Sequence, residues 1–486
     1  MEKIRQKLLA FISSPKDGIL LSGIAIGVYM LLYYYSKNFG LASSWEQLGV
    51  FIAYYFVVPT VVLLLGYRLF TLPTLLGYRK HYLFIAVPLI VVLFLLQLII
   101  AGPRRKSFFL GLAIVLLFAG AKKFARYHKL FIVLLFVMAA CSLPTFFGNI
   151  YNYATASDAW RKLPDDLEQV QFKTKPNIYY IQPDGYASPA NLKDANYNFD
   201  NKNFEQFLSV EGFTVYPDFR SNYNSTLLSN TSAFSMRHHY ARQDIEDFWA
   251  RRIIVGDNPV LHILKNNGYT THFVTEKPYL IMNRPKLGYD TCNFTYNELP
   301  YLKDAMGLER DVFKSLKEVK PTVGPQFYFI EKMTPSHVSV FSKRGKASEK
   351  EWYLERLQKT NIWLMQVVSY IEKKDPDALI IIGADHGGFV GFDHTLQSMT
   401  LTKDPLLVKS IFGSMMAIKW GNEKAREYDG KLHTSVNLFR IIFAYLSQDK
   451  KYLNHTEAND SYVLTHSPGG LYKYINDKGE VVLQKQ

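Results

Sequence analysis

The sequence predicts a protein in two parts, an N-terminal five-helix transmembrane domain and a mostly parallel α/β/α sandwich. The long apolar runs are concentrated in residues 1–150, although hydrophobic residues make up 48% of the whole chain. Beyond residue 176, short apolar strand patterns alternate with helix patterns. Such alternation is typical of a parallel sheet that is covered by helices on both faces. A length of 486 residues is also too great for one ordinary core.

Apolar segments in the first part of the chain predict membrane spans. The five segments cover residues 18–35, 48–70, 82–100, 108–121 and 130–147. About 20 apolar residues cross the hydrocarbon layer of a bilayer. The second and third segments reach that length, and the fourth is short. Few charges interrupt the spans, which argues against a transporter, so this domain is either an inert anchor or a part that handles a lipid substrate.

Basic residues between the spans predict the orientation in the membrane. Cationic residues lie at the N-terminus (KIRQK, Lys16), near residues 78–81 and near residues 122–129. Because positive loops remain in the cytoplasm, five spans place everything after residue 150 outside. The loop GPRRKS on the opposite side is also basic, so the pattern is not uniform. The N-terminus lacks a small-residue cleavage site, and we expect it to be retained as an anchor.

The net charge and the two cysteines predict neither a nucleic-acid-binding protein nor a disulfide-rich one. The formal charge of +14 is partly explained by the loops between spans, so it does not predict a nucleic-acid partner. The remaining positive charge suits an anionic substrate or a lipid headgroup surface. Cys141 lies in an apolar segment and Cys292 in the second part, so no disulfide framework is expected.

The second part is predicted to consist of a connector, residues 151–176, and a catalytic domain, residues 177–486. Five runs predict strands: residues 177–182, 270–274, 326–331, 378–383 and 414–420. Four runs predict helices: residues 203–211, 258–266, 349–373 and 434–446. The helix at 349–373 has apolar residues at helical spacing, so its charged face is expected to be solvated surface.

Two predicted strands end in acidic residues and glycine. The first is NIYYIQPDG, which ends in Asp184, and the second is ALIIIGADHGG, which ends in Asp385 and His386. Open α/β sheets place their sites just beyond the carboxyl ends of strands. Carboxylate oxygens and an imidazole nitrogen in tight turns suit a divalent ion such as Zn²⁺ or Mn²⁺. The alternative interpretation of the Asp-His-Gly run is an ordinary turn.

A third segment, RSNYNSTLLSNTSAFSM, places hydroxyl groups before a run that can form a helix. A hydroxyl of Ser225 or Thr226 would stand at the helix N-terminus, where free N–H groups and the helix dipole stabilise anions. A metal next to that oxygen would make it a nucleophile near neutral pH. On spacing alone, either residue could instead be a simple N-cap.

These motifs resemble the alkaline phosphatase and sulfatase superfamily, in the membrane-anchored branch of lipoteichoic acid synthases and lipid A phosphoethanolamine transferases. The run TLLSNTSAFS is similar to the nucleophile motif of phosphoethanolamine transferases. The resemblance implies an alkaline-phosphatase-like fold, Thr226 as the nucleophile, and one divalent metal (Zn or Mn) held by Thr226, Asp184, Asp385 and His386. It covers residues 177–446 and the five-span layout. In those two groups the first acidic ligand is usually Glu, and Asp184 is more similar to phosphodiesterases and sulfatases.

The resemblance also implies residues that contact the substrate. GYTTHF followed by Met282, Asn283 and Arg284 is similar to the headgroup-binding stretch of lipoteichoic acid synthases, so Arg284 would hold phosphate. That family tends to have Trp where this chain has Met282. His337, in MTPSH after the third predicted strand, would touch the substrate or assist the leaving group. His433 is a looser candidate for substrate binding. We expect His238 and His239 to be surface residues, since no partner for them is evident in the sequence.

The implied activity is transfer of a phospho-headgroup, of phosphoglycerol or phosphoethanolamine type, from a membrane phospholipid to an envelope glycan or lipid. The protein would be a multi-pass cytoplasmic membrane protein with its catalytic domain outside. Alternatives are a phosphodiesterase or sulfatase of the same fold, or a catalytically silent domain that binds the envelope. A sulfatase is disfavoured, because Ser225 is not followed by the Pro and Arg of a Cys/Ser-x-Pro-x-Arg motif.

Overall fold

The chain forms two compact units, Met1–Ala156 and Ser157–Gln486, in a computed structural model. The structure describes residues 2–41, 44–99, 103–242, 249–302, 305–341, 344–421 and 423–486. The first unit is helical throughout, and the second contains all the described strands.

The helices of the first unit include long apolar ones. The helices are α1 (Glu2–Ser13), α2 (Ile19–Asn38), α3 (Trp45–Ile52), α4 (Val58–Leu69), α5 (Arg79–Ile99), α6 (Pro103–Phe124) and α7 (Lys129–Thr155). Within the described ranges, five stretches are long and apolar enough to cross a membrane: Ile19–Asn38, Trp45–Leu69, Leu76–Leu98, Pro103–Tyr127 and Lys129–Arg161. The prediction of five spans is confirmed. The fourth is longer than predicted, because its helix continues through basic residues at both ends.

Close packing holds the spans of this unit together. A Cβ added at Gly27 would lie 2.5 Å from the ring of Phe56, so the absent side chain lets the helices approach closely. At the helix ends, the buried Lys129 ammonium donates to the carbonyl oxygens of Phe11 and Ser14, at 3.1 and 2.6 Å. These bonds connect the end of α1 to the start of α7.

The second unit is built on a seven-stranded sheet in the order β2-β7-β6-β1-β5-β3-β4. The strands are β1 (Ile178–Pro183), β2 (Thr214–Val215), β3 (Thr270–Thr275), β4 (Thr291–Cys292), β5 (Gln326–Lys332), β6 (Leu379–Gly383) and β7 (Met416–Lys419). β1 pairs in parallel with β5 and β6, β3 pairs in parallel with β4 and β5, and β7 pairs antiparallel with β2 and β6. The sheet is therefore mostly parallel, as predicted.

Helices cover both faces of this sheet. They are α8 (Pro189–Leu192), α9 (Lys202–Val210), α10 (Thr226–Ser235), α11 (Ala250–Ile254), α12 (Pro259–Asn266), α13 (Val312–Glu318), α14 (Lys346–Lys374), α15 (Pro405–Phe412) and α16 (Leu438–Ser447). Helices α10, α12 and α16 pack in one core, and α9, α14 and α15 pack in the other. Successive strand residues alternate between the two cores, with Tyr180 in the first and Ile181 in the second. This arrangement confirms the α/β/α sandwich.

The sequence patterns located the central strands but not the peripheral ones. The two-residue strands β2 and β4 are too short to leave a periodic signal. A separate three-stranded antiparallel sheet was also not predicted. It consists of β8 (Ser461–His466), β9 (Gly469–Ile475) and β10 (Val481–Lys485).

The expectation that the charged face of the long helix is solvated surface was wrong for part of α14, because Glu349 is buried. Glu349, Tyr353 and Thr360 are buried there. These side chains hydrogen bond to loops at the edge of the sheet instead of water. A charged or polar residue at helical spacing therefore does not by itself distinguish a solvated face from one that holds loops.

We expect the buried ion pair of Asp165 and Arg440 to be a main support of this unit. The guanidinium is 1% exposed and donates to both carboxylate oxygens, at 2.7 and 3.2 Å. Arg440→Met should lower the free energy of unfolding by about 3 kcal/mol, because it leaves a mostly buried carboxylate without its partner. Thermal unfolding of the purified chain in detergent measures this loss.

The matched control is the exposed pair of Lys451 and Asp166, whose Nζ–Oδ2 distance is 3.0 Å. Lys451→Met should leave the melting temperature almost unchanged, because exposed pairs contribute little. Equal losses from Arg440→Met and Lys451→Met would contradict the assignment.

Candidate active site

Three predicted metal ligands meet at the carboxyl ends of two neighbouring strands. Asp184 directly follows β1, and Asp385 and His386 follow β6 after one residue. Because β1 and β6 are adjacent and parallel, their carboxyl ends lie at the same edge of the sheet. All three side chains are buried, and their potential ligand atoms lie within 4.8 Å of one another.

The hydrogen bonds around these residues leave metal-binding atoms available. Nδ1 of His386 lies 2.9 Å from the Gly387 carbonyl oxygen, so a proton on Nδ1 makes that bond and leaves the Nε2 lone pair available. Nε2 lies 3.5 Å from Asp184 Oδ1 and 3.4 Å from Asp385 Oδ2. Asp385 Oδ1 accepts from the Gly185 N–H at 3.1 Å, whereas buried Oδ2 has no hydrogen-bond partner among the described residues. One nitrogen and two carboxylates that converge in this way fit a divalent ion.

The electrostatics of the site favour a bound cation. Burial and the nearby Asp385 carboxylate raise the pKa of Asp184 to about 7. Burial lowers the pKa of His386, but the Asp385 and Asp184 carboxylates outweigh it, and the net shift is upward. Both shifts have the sign expected when carboxylates crowd a low-dielectric site.

Glu331 is a third carboxylate at this edge of the sheet, and the sequence analysis did not single it out. It stands at the end of β5, is 0% exposed, and accepts from the Thr275 hydroxyl at 2.6 Å. Its other oxygen, Oε1, has no hydrogen-bond partner within the described part of the chain. Burial, together with Asp184 and Asp385, raises its pKa to about 8. An acid at the end of a buried strand was the signal that could have found it.

The structure separates the two hydroxyl candidates. Ser225 is the N-cap of α10, since its Oγ accepts from the Leu228 N–H at 3.3 Å. Thr226, the first residue of the helix, has its Oγ1 3.5 Å from Asp184 Oδ1 and 3.4 Å from His386 Nε2. The threonine hydroxyl therefore lies beside the predicted metal ligands, and the serine supports the helix.

Gly185 allows two loops to meet beside this group. Its φ of +64° is left-handed, and an added Cβ would lie 2.5 Å from the Ser336 carbonyl oxygen. In addition, the Ser336 N–H donates to the Asp184 carbonyl oxygen at 2.7 Å. The loop after β5, which carries His337, is thus held directly against the loop after β1.

His337 faces the same cavity as Thr226 and His386. Its ring centroid lies 5.7 Å from that of His386, and its Nδ1 lies 2.6 Å from the Val338 carbonyl oxygen. Burial and the neighbouring His386 lower the pKa of His337 to about 4. The imidazole is therefore neutral at pH 7, and a proton on Nδ1 leaves Nε2 as a hydrogen-bond acceptor.

The cavity has a volume of about 460 Å³. Polar residues of its lining are Asn224, Ser225, Thr226, His337, His386, Thr395, Ser398 and His466. Apolar and aromatic residues of its lining are Leu228, Ala241, Tyr279, Val340, Phe389, Leu396, Met399 and Leu464. Mixed walls of this kind can hold a charged group and an apolar chain together.

Three predicted substrate-binding residues do not line this cavity. Arg284 is buried elsewhere, where its Nη2 donates to the Leu299 carbonyl oxygen at 2.6 Å and its guanidinium lies 3.8 Å from the Tyr301 ring centroid. Its neighbour Asn283 is buried as well. His433 is exposed and lines a different cavity of about 530 Å³. Their placement gives no support to the substrate roles that the resemblance implies.

The expectation that His238 and His239 are surface residues was wrong, since both are buried. His239 Nε2 lies 2.9 Å from the Leu228 carbonyl oxygen on α10, and its ring stacks on Tyr223 at 4.0 Å. His238 Nε2 lies 2.8 Å from the Ala458 carbonyl oxygen. Buried partners satisfy both rings, which therefore support α10 and its neighbouring loop.

No family model and no curated protein sequence matches the chain. Among solved structures, the C-terminal periplasmic domain of EcEptC from Escherichia coli is similar over 64% of this chain and 97% of its own, at 11% identity and a TM-score of 0.43. Lipooligosaccharide phosphoethanolamine transferase A from Neisseria meningitidis, an integral membrane protein, is similar over 88% of this chain and 95% of its own, at 13% identity and a TM-score of 0.40. The lipoteichoic acid synthase LtaP from Listeria monocytogenes is similar over 65% and 91%, at 12% identity and a TM-score of 0.40.

These structures come from the transferases and synthases that the sequence motifs resemble. Identities of 11–13% and TM-scores of 0.40–0.43 do not assign an activity to this chain. An activity can therefore be inferred only from the residues and geometry of the site itself.

Metal binding should be weaker below pH 7 than above it. Because the pKa of Asp184 is raised to about 7, the folded metal-free protein holds a proton that the unfolded chain releases at lower pH. Metal-free stability therefore falls as pH rises toward 7. Below pH 7 a metal must displace that proton, which weakens apparent affinity by about tenfold per pH unit.

The measurement is the increase in melting temperature on adding Zn²⁺ or Mn²⁺, which should be clearly larger at pH 8 than at pH 5.5. Asp385→Asn removes one carboxylate charge and should abolish most of this increase at both pH values. A metal-induced increase that is the same at both pH values would contradict the linkage.

Proposed function

We propose that this protein is a membrane-anchored, metal-dependent phosphotransferase that moves a phospho-headgroup through a phospho-threonine at Thr226. The observation that carries the proposal is the position of the Thr226 hydroxyl, 3.4–3.5 Å from His386 Nε2 and Asp184 Oδ1. Transferred groups of the phosphoglycerol or phosphoethanolamine type agree with the families that the motifs resemble.

The ligand set for one divalent metal would be Asp184, Thr226, Asp385 and His386. When bound, the ion would lower the pKa of the threonine hydroxyl and offset the negative charge of the phosphate oxygens. Zn²⁺ and Mn²⁺ both suit two carboxylates, a hydroxyl and an imidazole. Glu331, at the end of the neighbouring β5, has a pKa raised to about 8 by burial and by Asp184 and Asp385, so it is mostly protonated at pH 7 without a bound cation.

In the first half of the reaction, the Thr226 oxygen bonds to phosphorus and the lipid oxygen leaves. Asp184 Oδ1, 3.5 Å away, is positioned to receive the hydroxyl proton. The N-terminus of α10 faces the incoming phosphate, and its free N–H groups favour negative charge there. The proton taken up by Asp184 then passes to the departing lipid oxygen, so that a new Oγ–phosphorus bond and a free lipid hydroxyl result.

In the second half, a hydroxyl of the acceptor attacks phosphorus, and the bond to Thr226 breaks. The neutral His337 has Nε2 available as an acceptor in the same cavity, so it would take the proton of the attacking hydroxyl and return it to the departing Thr226 oxygen. Because the imidazole carries no charge at pH 7, it would act as a proton acceptor and not as a cation that holds phosphate.

The rim of the cavity supports a lipid donor. Val340 and Leu464 line the cavity and are exposed, and Phe341, which follows Val340 in the chain, is 82% exposed. Exposed apolar side chains at the opening of a polar site suit an acyl chain better than a soluble phosphate ester. The five spans would keep the enzyme in the cytoplasmic membrane that holds the donor, with an envelope glycan or lipid as acceptor.

Hydrolysis is the alternative outcome at the same site, if water replaces the acceptor hydroxyl. Asp184 favours this alternative, since an Asp at the first ligand position is more similar to phosphodiesterases and sulfatases than to the transferases. The two outcomes share the phospho-threonine and differ only in what removes it.

Thr226→Ala should abolish a covalent mass increment that the wild-type chain acquires in mixed phospholipid vesicles. The matched control is Ser225→Ala, which removes the neighbouring hydroxyl. Loss of this N-cap should cost about 1 kcal/mol of stability but leave the increment in place. Intact and peptide mass spectrometry measures both, and the size of the increment identifies the transferred group. An increment that survives in Thr226→Ala and disappears in Ser225→Ala would contradict the proposal.

His337→Gln should slow decay of the phospho-threonine by about 100-fold, because the general base is lost. The modified protein should therefore accumulate. His466→Gln is the matched control, since His466 lines the same cavity and has no role in the proposed steps. Time-resolved mass spectrometry after removal of the donor follows the decay, and equal decay in wild type and His337→Gln would refute this role.

A further inference from the structure

A polar stripe runs along α14 on the side that faces the candidate active site. It consists of Glu349, Tyr353, Arg356 and Thr360, at spacings of four, three and four residues. Residues at this spacing share one face of a helix. Three of the four side chains are buried and Arg356 is half-buried, although the helix carries many solvated charges elsewhere.

One residue of the stripe holds the loop that follows β1. The Tyr353 hydroxyl donates to the Gly185 carbonyl oxygen at 3.0 Å and accepts from the Ala187 N–H at 3.0 Å. Gly185 in turn donates its N–H to Asp385. A Cβ at Gly388 would lie 2.5 Å from the Tyr353 ring, so the loop after β6 also packs against this tyrosine.

The other three residues hold the loop that carries His337. Glu349 accepts from the Ser339 N–H at 2.8 Å and from the Ser339 hydroxyl at 3.0 Å. Arg356 Nη2 donates to the His337 carbonyl oxygen at 2.9 Å. The Thr360 hydroxyl lies 3.1 Å from that of Thr334. The helix therefore contacts this loop before, at and after the histidine.

Arg356 donates to two backbone carbonyl oxygens, from Nη2 to His337 in this loop and from Nε to Trp352 on its own helix at 3.3 Å. Its guanidinium lies 3.4 Å from the centroid of the Trp352 ring, which fixes its plane. Burial lowers the pKa of Arg356 to about 10, so it remains charged at pH 7. A guanidinium that is held against an aromatic ring and bonded to two backbone carbonyl oxygens suits a positioning role.

We infer that Glu349 and Arg356 of α14 are positioning residues that hold the His337 imidazole in the cavity that Thr226 also lines. The inference rests on the proposed function, in which His337 takes the proton of the attacking hydroxyl. Displacement of a reacting group by about 1 Å can cost on the order of 100-fold in rate, so the hold on its backbone matters for catalysis.

The first test measures the loop without any activity. Hydrogen–deuterium exchange of the Zn²⁺-loaded full chain in detergent is followed in peptides that cover residues 333–341. Arg356→Met keeps the stem on Trp352 and removes the donors, and Glu349→Gln removes one of two acceptor oxygens. Each should accelerate exchange in this segment by about tenfold while leaving the seven-stranded sheet protected.

Matched controls come from the exposed pair of Glu355 and Lys359 on the same helix, whose side chains are 2.6 Å apart. Glu355→Gln and Lys359→Met make the same kinds of change in charge, and they should leave exchange in 333–341 unaltered. If Arg356→Met and Glu349→Gln behave like these controls, the inference is wrong.

The second test separates positioning from general support of the fold. Decay of the phospho-threonine is measured against the concentration of glycerol as a model alcohol. Arg356→Met should lower the plateau rate by about tenfold and leave the half-saturating glycerol concentration unchanged. The double variant with His337→Gln should be no slower than His337→Gln alone, because both changes affect the same group.

Additive losses in the double variant would overturn the inference even if exchange increases. If the wild-type chain never forms the phospho-threonine, the proposed function fails. The exchange result then decides by itself whether α14 holds the loop, so the two failures are distinguishable.

Discussion

The crowding of buried carboxylates at one edge of the sheet is the constraint on which the rest of the site depends. Asp184, Asp385 and Glu331 come from three adjacent strands, and each is buried. Like charges in a low-dielectric interior cannot all ionise without a compensating cation. His386 is the nearest basic group, and as a ligand it must be neutral. In the proposed function, a divalent metal would offset this charge beside the Thr226 hydroxyl.

The fold produces this arrangement because adjacent strands, one helix start and one tight turn meet at the same edge of the sheet. Adjacent parallel strands bring Asp184, Asp385 and Glu331 to one edge, and the N-terminus of α10 brings Thr226 to them. The left-handed turn at Gly185 then lets the loop of His337 approach to hydrogen-bond distance. On the outer side, α14 holds both loops with its polar stripe. The predicted metal ligands and the proposed base therefore come from different loops, and α14 contacts the loops of both.

The parts of the site that the sequence predicted are those with local signals. Asp184 and the Asp385–His386 pair stand at the ends of apolar strand patterns, and the structure brings them together. The choice between Ser225 and Thr226 could not be made from spacing, because both hydroxyls fit a helix start. It depends on which side chain turns toward the sheet, and that is decided by packing of α10.

Residues that depend on distant loops were not predictable. The segment around Arg284 resembles a headgroup-binding motif. In the structure, however, its Nη2 donates to the Leu299 carbonyl oxygen and its guanidinium packs on the Tyr301 ring. His433 is placed at another cavity by the chain that leads into α16. Conversely, His239 and Glu349 are polar residues in polar segments of the sequence. Their burial depends on tertiary contacts, so the sequence did not predict it.

The most direct test of the central claim is an anomalous diffraction map of the full chain crystallised with Zn²⁺. The account predicts a peak about 2.0–2.3 Å from a carboxylate oxygen of Asp184, a carboxylate oxygen of Asp385, His386 Nε2 and Thr226 Oγ1. A map in which zinc binds elsewhere, while these four side chains contact one another directly without a metal, would contradict the proposed metal site.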